Sequence, residues 1–282
     1  MKVEFLRVGS CCHPEWVTLQ GGALASIDFP ALAVLIQHPS KGNFLFDTGY
    51  ASQFNRVTQK FPESVYRWIT PIKLNEHDSI THQLGARGIA PEAIAGIFIS
   101  HFHADHIAAL GDFWKAQYLS LSESYEAVRP LNGIEALRRG FLPKLLPDDF
   151  LMRYQTIESC SKILALPEKM RPFTHGWDVF GDESAYAIRL PGHARGQMGL
   201  WLNQVNGLDE DVFLVADACW SSRAYQELRA PSWLSFLLHD NRAAYLQTLQ
   251  DIHDLALRNT DVIIMPSHCS AMIEKYTGGR RA

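Results

Sequence analysis

Strands that alternate with helices predict a chain of the α/β kind, built as two similar halves over one core. Short apolar runs, among them Val3 to Val8, Ala31 to Gln37, Asn43 to Phe46 and Ile97 to Ile99, read as buried strands. Helix signals fall between them: Asp78-Ser79-Ile80 opens a helix through Leu84 to a Gly88 stop, and Pro91-Glu92-Ala93-Ile94 leads back into a strand. After residue 184 the chain again runs from strands to a helix, so the second half repeats the plan of the first.

Composition bounds the function. With 282 residues, 47% hydrophobic and 20% charged, the chain buries a large core. A formal net charge of -4 gives no basic footprint, so no nucleic-acid partner is expected and polyanionic substrates are disfavoured. The start, Met1 to Arg7, lacks the apolar core and cleavage site of a signal peptide, and no apolar run is long enough to span a bilayer. A cytoplasmic protein without a membrane partner is the expectation. Five cysteines, Cys11, Cys12, Cys160, Cys219 and Cys269, are an odd number without CxxC pairing, which argues against a disulfide framework or a structural zinc knuckle. Cys219 and Cys269 neighbour candidate ligands, but small core residues are the ordinary reading.

Taken in order, the first two strands are separated by a long loop carrying Cys11-Cys12-His13-Pro14, Trp16 and Gly21-Gly22, either functional or packed back on the sheet. The third strand closes on Asp47-Thr48-Gly49, where Asp47 either caps the next helix or supports a ligand histidine. Ile97-Phe98-Ile99 runs into Ser100-His101-Phe102-His103-Ala104-Asp105-His106, with a helix expected from His106 onward. Gln117 to Leu121 is another strand. Residues 131–176 read as a helical insertion punctuated by Pro143, Pro147 and Pro167, open to use as a lid, a dimer surface or plain packing. The boundary between the halves falls near 180. Beyond it, Ser184 to Leu190, Met198 to Leu202 and Asp211 to Ala216 read as strands. A helix from Asp240 then puts Tyr245, Leu246, Leu249, Ile252 and Leu255 on one face and leaves His253 on the surface; Val262 to Met265 is the last strand.

The chemistry concentrates at strand ends. In an extended segment residues two apart point the same way, so His101 and His103 approach one cation while Asp105 and His106, at the turn, reach a second. His193, Asp217 and His268 each follow a strand, where open sheets gather function. Singly, such residues are more often satisfied histidines, turns or caps. Together with the first four they supply the remainder of a two-metal site. Imidazoles suit zinc, and the carboxylates tolerate zinc, manganese or iron.

In these motifs the sequence resembles the metallo-β-lactamase superfamily. Asp47-Thr48-Gly49, His101-Phe102-His103-Ala104-Asp105-His106, Gly192-His193, Asp217 and His268 follow the family's order. The resemblance implies an α+β fold, an αββα sandwich of two facing mixed sheets with helices outside, filling residues 1–282 as one domain. It implies that His101, His103 and His193 bind one metal, that Asp105, His106 and His268 bind another, and that Asp217 bridges them, with Asp47 behind a ligand. Two divalent ions, zinc foremost with manganese or iron as alternatives, would supply metal-bound hydroxide at neutral pH.

The ligand set departs from true β-lactamases and matches the superfamily's other hydrolases, while the length, the Phe46-Asp47-Thr48-Gly49 turn, Ser100 to His106 and Pro191-Gly192-His193 followed by Gly196-Gln197 look similar to N-acyl homoserine lactone lactonases, which implies opening of a lactone with Asp105 as proton donor. Lactonases of this kind place a tyrosine three residues after the bridging aspartate, where this chain has Trp220. Its indole N–H is a weaker donor. Alternatively Trp220 and Phe102, with Trp16 or Phe236, line an apolar acyl channel, and core packing remains the plain reading for the last two. Arg195 and Gln197 either touch substrate or hold the turn after His193. The expected partner is a small molecule with an acyl or apolar portion, and a homodimer is open to the chain. Thioester hydrolysis of the glyoxalase II kind is the alternative reaction, followed by phosphodiester or RNA hydrolysis. Outside catalysis the alternative is a metal-dependent binding or redox module.

Overall fold

The computed structural model describes residues 1–207 and 210–277. Seven strands, β1 (Lys2–Pro14), β2 (Ser26–His38), β3 (Gly42–Phe46), β4 (Ile72–Lys73), β5 (Ile94–Phe98), β6 (Gln117–Ser120) and β7 (Tyr154–Thr156), form one sheet in the order β4-β1-β2-β3-β5-β6-β7. Six more, β8 (Lys162–Ala165), β9 (His175–Asp178), β10 (Ala185–Arg189), β11 (Met198–Leu202), β12 (Asp211–Ala216) and β13 (Val262–Pro266), form a second in the order β13-β12-β11-β10-β9-β8. Both sheets are mixed: β3, β5, β6 and β7 run parallel, as do β12 and β13, while the remaining neighbours are antiparallel.

The near-continuous apolar strands follow from burial on both faces. On β2, Leu32, Val34 and Ile36 join Leu200, Leu202, Val212 and Leu214 in the core between the sheets, while the intervening Ala31, Ala33 and Leu35 pack outward against helices. On β12 the alternation recurs, with Val212 and Leu214 inward and Phe213 and Val215 against the helix Arg242–Arg258. Period-two burial on both sheets therefore yields four layers, helix, sheet, sheet, helix. Among the described residues no helix is long and apolar enough to cross a membrane.

The structure alters four local readings. The loop expected between the first strands is largely strand: β1 extends to Pro14 and β2 begins at Ser26, with a bulge between Arg7 and Ser10 and only one short helix, Glu15–Thr18, at the tip. Cross-strand pairing through Cys11, Cys12 and His13 overrides a composition that looks like a turn. The helix expected from His106 onward is a single turn, Ala104–Ile107, followed by a 3-10 turn at Leu110–Asp112. Residues 131–176 hold short helical turns and also β7, β8 and the start of β9, so this segment serves both sheets. His253 is half-buried, with Nδ1–H donating to the Tyr225 carbonyl at 2.6 Å.

The intersheet core makes a direct prediction. Leu214 is 1% exposed, so Leu214→Ala should lower the denaturant-unfolding free energy by about 2–5 kcal/mol. Leu257→Ala, at a position 71% exposed, should stay within about 0.5 kcal/mol of wild type in the same measurement.

Candidate metal centre

The strand directions deliver the site. β3 and β5 end together in the first sheet. β10, β12 and β13 end together in the second, since β10 and β12 each run antiparallel to β11. The residues after these ends converge in two groups. His101, His103, His193 and Asp217 offer ligand atoms all within 4.8 Å of one another, and so do Asp105, His106 and His268. The Asp217 carboxylate touches both groups: Oδ2 lies 3.3 Å from His193 Nε2, and Oδ1 lies 3.4 Å from His106 Nε2 and 3.1 Å from His268 Nε2. Asp105 Oδ2 stands 3.3 Å from His268 Nε2 and 3.7 Å from His106 Nε2.

Outer contacts fix which nitrogen each ring presents. His106 Nδ1–H donates to Asp47 Oδ2 at 2.7 Å, and His268 Nδ1–H donates to the Pro30 carbonyl at 2.6 Å. Ser100 donates its hydroxyl to Asp47 Oδ2 at 2.7 Å and is positioned to accept from His101 Nδ1 at 3.0 Å. Each of these rings therefore turns Nε2 inward, and that of His268 lies 3.2 Å from Asp217 Oδ2. Asp47 also accepts from the Ser100 amide at 2.8 Å, and Thr48 donates its amide and its hydroxyl to the His106 carbonyl. The aspartate thus organises both the ring and the backbone of this cluster.

Several of the inward atoms have no protein partner. His101 Nε2, His106 Nε2 and Asp217 Oδ1 are buried without a hydrogen bond among the described residues, and His193 Nε2 faces His103 Nδ1 at 3.0 Å. Lone pairs of two imidazoles this close repel unless a proton or a cation lies between them. Nitrogen and oxygen donors without thiolate fit a divalent metal in each group.

The electrostatics agree. Burial holds His101 and His193 well below the usual imidazole range and lowers His103 to about 4, so all three offer neutral nitrogens at pH 7. Burial also opposes charge on His106, but the carboxylates of Asp105, Asp47 and Asp217 outweigh it and hold that imidazole well above its ordinary range. Burial pushes against ionisation of Asp217, yet His268, His106 and His193 keep its carboxyl well below the usual carboxylate range. A concentration of negative potential that retains protons on buried imidazoles is also one that attracts dications.

The metallo-β-lactamase superfamily model matches residues 27–206. The chain belongs to the metallo-β-lactamase superfamily. The N-acyl homoserine lactonase AttM of Rhizobium radiobacter is 25% identical over 259 residues, covering 90% of each chain. The N-acyl homoserine lactonase AiiB of Agrobacterium fabrum is 25% identical over 86% of this chain and 82% of its own. A crystal structure of a B. thuringiensis AiiA mutant, with N-decanoyl-L-homoserine at its active site, shares the fold at a TM-score of 0.70 and 17% identity over 97% of this chain and 95% of that one.

In this superfamily member the remaining candidates fall in distinct places. Trp220 is half-buried, and its indole N–H donates to Asp217 Oδ2 at 3.0 Å. Phe102 is buried against Tyr125, Phe141 and Phe150 and also lines a cleft beside His103 and His193. Gln197 is buried and donates to the Leu190 carbonyl at 3.3 Å, a turn contact, whereas Arg195 is exposed at the same cleft. Trp16 is half-buried, and Phe236 packs on the core under helix Arg242–Arg258. Cys219 is buried in that core, and Cys269 Sγ lies 3.3 Å from the Ser222 amide; neither joins a ligand group. Sequence reading passed over Ser100 and Pro30, whose contacts are set by tertiary structure, and His239, which lies beside His193 in an irregular segment.

Gly192 allows His193 its place. Its φ is +125°, and a Cβ there would sit 2.2 Å from both N and Cα of Tyr245, backbone of a packed helix. Gly192→Ala should therefore displace the His193 turn and lower bound metal per folded chain, measured by elemental analysis. Gly85→Ala, where nothing lies within 4 Å, should leave metal content unchanged.

Proposed function

We propose that the protein is a dinuclear metallo-hydrolase that opens lactones of the N-acyl homoserine class. The observation that carries this reading is similarity along nine-tenths of both chains to a protein named N-acyl homoserine lactonase, joined to two candidate ligand groups both touched by the Asp217 carboxylate. In the reading, His101, His103, His193 and Asp217 hold one ion, and Asp105, His106, His268 and Asp217 hold the other. Zinc is favoured over manganese or iron because imidazole nitrogens predominate. Two such cations acidify water and polarise the carbonyl under attack.

The chain's own groups then have defined tasks. Hydrolysis joins the water oxygen to the carbonyl carbon and breaks the ring C–O bond, and the ring oxygen leaves with a proton. Asp105, a member of the second ligand group whose side chain retains 12% exposure, takes the water proton and returns it to the ring oxygen. The cleft next to His103 and His193, lined by Phe102, Val128, Leu131 and Leu238, receives the apolar acyl portion. Asp47 and Ser100 act behind the ligands, holding the tautomers of His106 and His101. Trp220 serves here by steadying Asp217 through its N–H, in place of a phenol aimed at the substrate. In the cell the reading is of a cytoplasmic enzyme, one domain per chain, open to homodimer formation.

The test is a panel of N-acyl homoserine lactones, thioesters and phosphodiesters given to zinc-, manganese- and iron-loaded protein, with ring opening followed by proton release. Lactone turnover that vanishes on chelation and returns with metal is expected; thioester turnover without lactone turnover would replace the reading with the glyoxalase II kind. Trp220→Phe keeps an aromatic wall but deletes the N–H on Asp217. It should lower kcat about 10-fold with KM nearly unchanged, as expected for loss of a hydrogen bond to a charged group worth roughly 1.5 kcal/mol.

A further inference from the structure

Resting on the reading of His193 as a ligand, we infer that His239 is its positioning residue, accepting a hydrogen bond from His193 Nδ1–H through Nε2. His193 directs Nε2 at the centre, 3.0 Å from His103 Nδ1 and 3.3 Å from Asp217 Oδ2, so the hydrogen of its neutral ring belongs on Nδ1. That Nδ1 is buried and has no protein partner among the described residues. The other buried ligand imidazoles do have an outer partner: Ser100 for His101, Asp47 for His106 and the Pro30 carbonyl for His268.

The complementary group is adjacent. His239 is 6% exposed, and its Nδ1 lies 2.6 Å from the Ser235 carbonyl, which can only accept; the hydrogen is on Nδ1 and Nε2 is a bare acceptor. That Nε2 is likewise buried without a partner. The two rings stand edge to face with centroids 4.8 Å apart at 83°. Their backbones are stitched together, since the Asp240 amide donates to the His193 carbonyl and the Asn241 amide to the Gly192 carbonyl, both at 3.0 Å. A buried donor lacking an acceptor thus neighbours a buried acceptor lacking a donor, and pairing them relieves a desolvation cost on each side. Once made, the contact would complete a line from the Ser235 carbonyl through His239 to the metal-facing nitrogen of His193. By holding the ring's tautomer and angle it raises metal affinity at the His101, His103 and His193 group.

Metal affinity, independent of any substrate, is the readout. Zinc bound to wild type, His239→Phe and His239→Gln is titrated against a competing chelator, with circular dichroism and melting of the metal-free proteins as the check on folding. His239→Phe should weaken one of two sites about 10–100-fold, the range for losing an outer partner of a ligand histidine, while His239→Gln, which keeps an acceptor, should recover most of that loss. In nitrogen-15-labelled, zinc-loaded wild type, a through-hydrogen-bond coupling should link His193 Nδ1 to His239 Nε2. Wild-type affinity in His239→Phe, equal losses in both variants, or absence of the coupling would overturn the inference. Wild type that binds no zinc would overturn the ligand reading itself.

Discussion

A buried carboxylate that must be neutralised sets the terms for the rest of the molecule. Asp217 is 3% exposed, and ionised in that setting it would cost several kcal/mol unless positive charge faced it closely. Three imidazoles from three other strand ends and one indole N–H lie within 3.4 Å of its two oxygens. No single element can surround a carboxylate in this way. The arrangement needs two sheets whose strands finish at a common rim, each contributing side chains from a different direction, and the sandwich supplies that.

The rim carries strain that the core sustains. Asp47, after β3, and Ala216, at the end of β12, both lie in the left-handed region, with φ of +57° and +48°. Side chains with a Cβ disfavour this conformation by roughly 1–2 kcal/mol each. In both places the turn redirects the chain as it leaves a parallel pair, aiming the Asp47 carboxylate at His106 and the Asp217 carboxylate between the two groups. Gly192 solves the corresponding problem after β10 by close approach to the Tyr245 backbone. Leu32, Val34 and Leu214, packed between the sheets behind the rim, hold the strand ends against relaxation.

How far these features could be read from sequence depends on how local their causes are. The segment from Ser100 to His106 was legible because its candidate ligands sit two and three residues apart, where strand and turn geometry alone bring them together. The two-faced strands were legible as apolar runs. The extension of β1 through Cys11-Cys12-His13 was not, because residues that look like a loop are held extended by pairing with Ile27, Asp28 and Phe29 on a distant stretch of chain. The support for His268 was invisible for a different reason: a backbone carbonyl, at Pro30, carries no sequence signature. His239 had no periodic context, and its clearest cue is Asn241, whose side chain accepts from the Ala244 amide and so marks a helix start just beyond it.

The aromatic neighbours of the candidate ligands bear on where selectivity would reside under the proposed function. Phe29 stacks on His268 with centroids 4.1 Å apart at 17°, and Trp220 meets His193 edge to face at 5.7 Å. Together with the outer hydrogen bonds, these contacts restrain the rings from their faces as well as their edges, which favours a constant ligand geometry whatever molecule approaches. Under the proposed function, a rigid centre of that kind would give little scope for discriminating one acyl group from another, since the reacting bond is the same in each. Discrimination would then fall to surfaces that meet the acyl portion alone. In that reading Val128, Leu131 and Leu238, which line the cleft beside His103 and His193, would provide it, since as apolar side chains they make no hydrogen bond or ion pair with Asp217 or its partners. In that reading, substitutions there would change which acyl chain fits while leaving the buried charge balance intact.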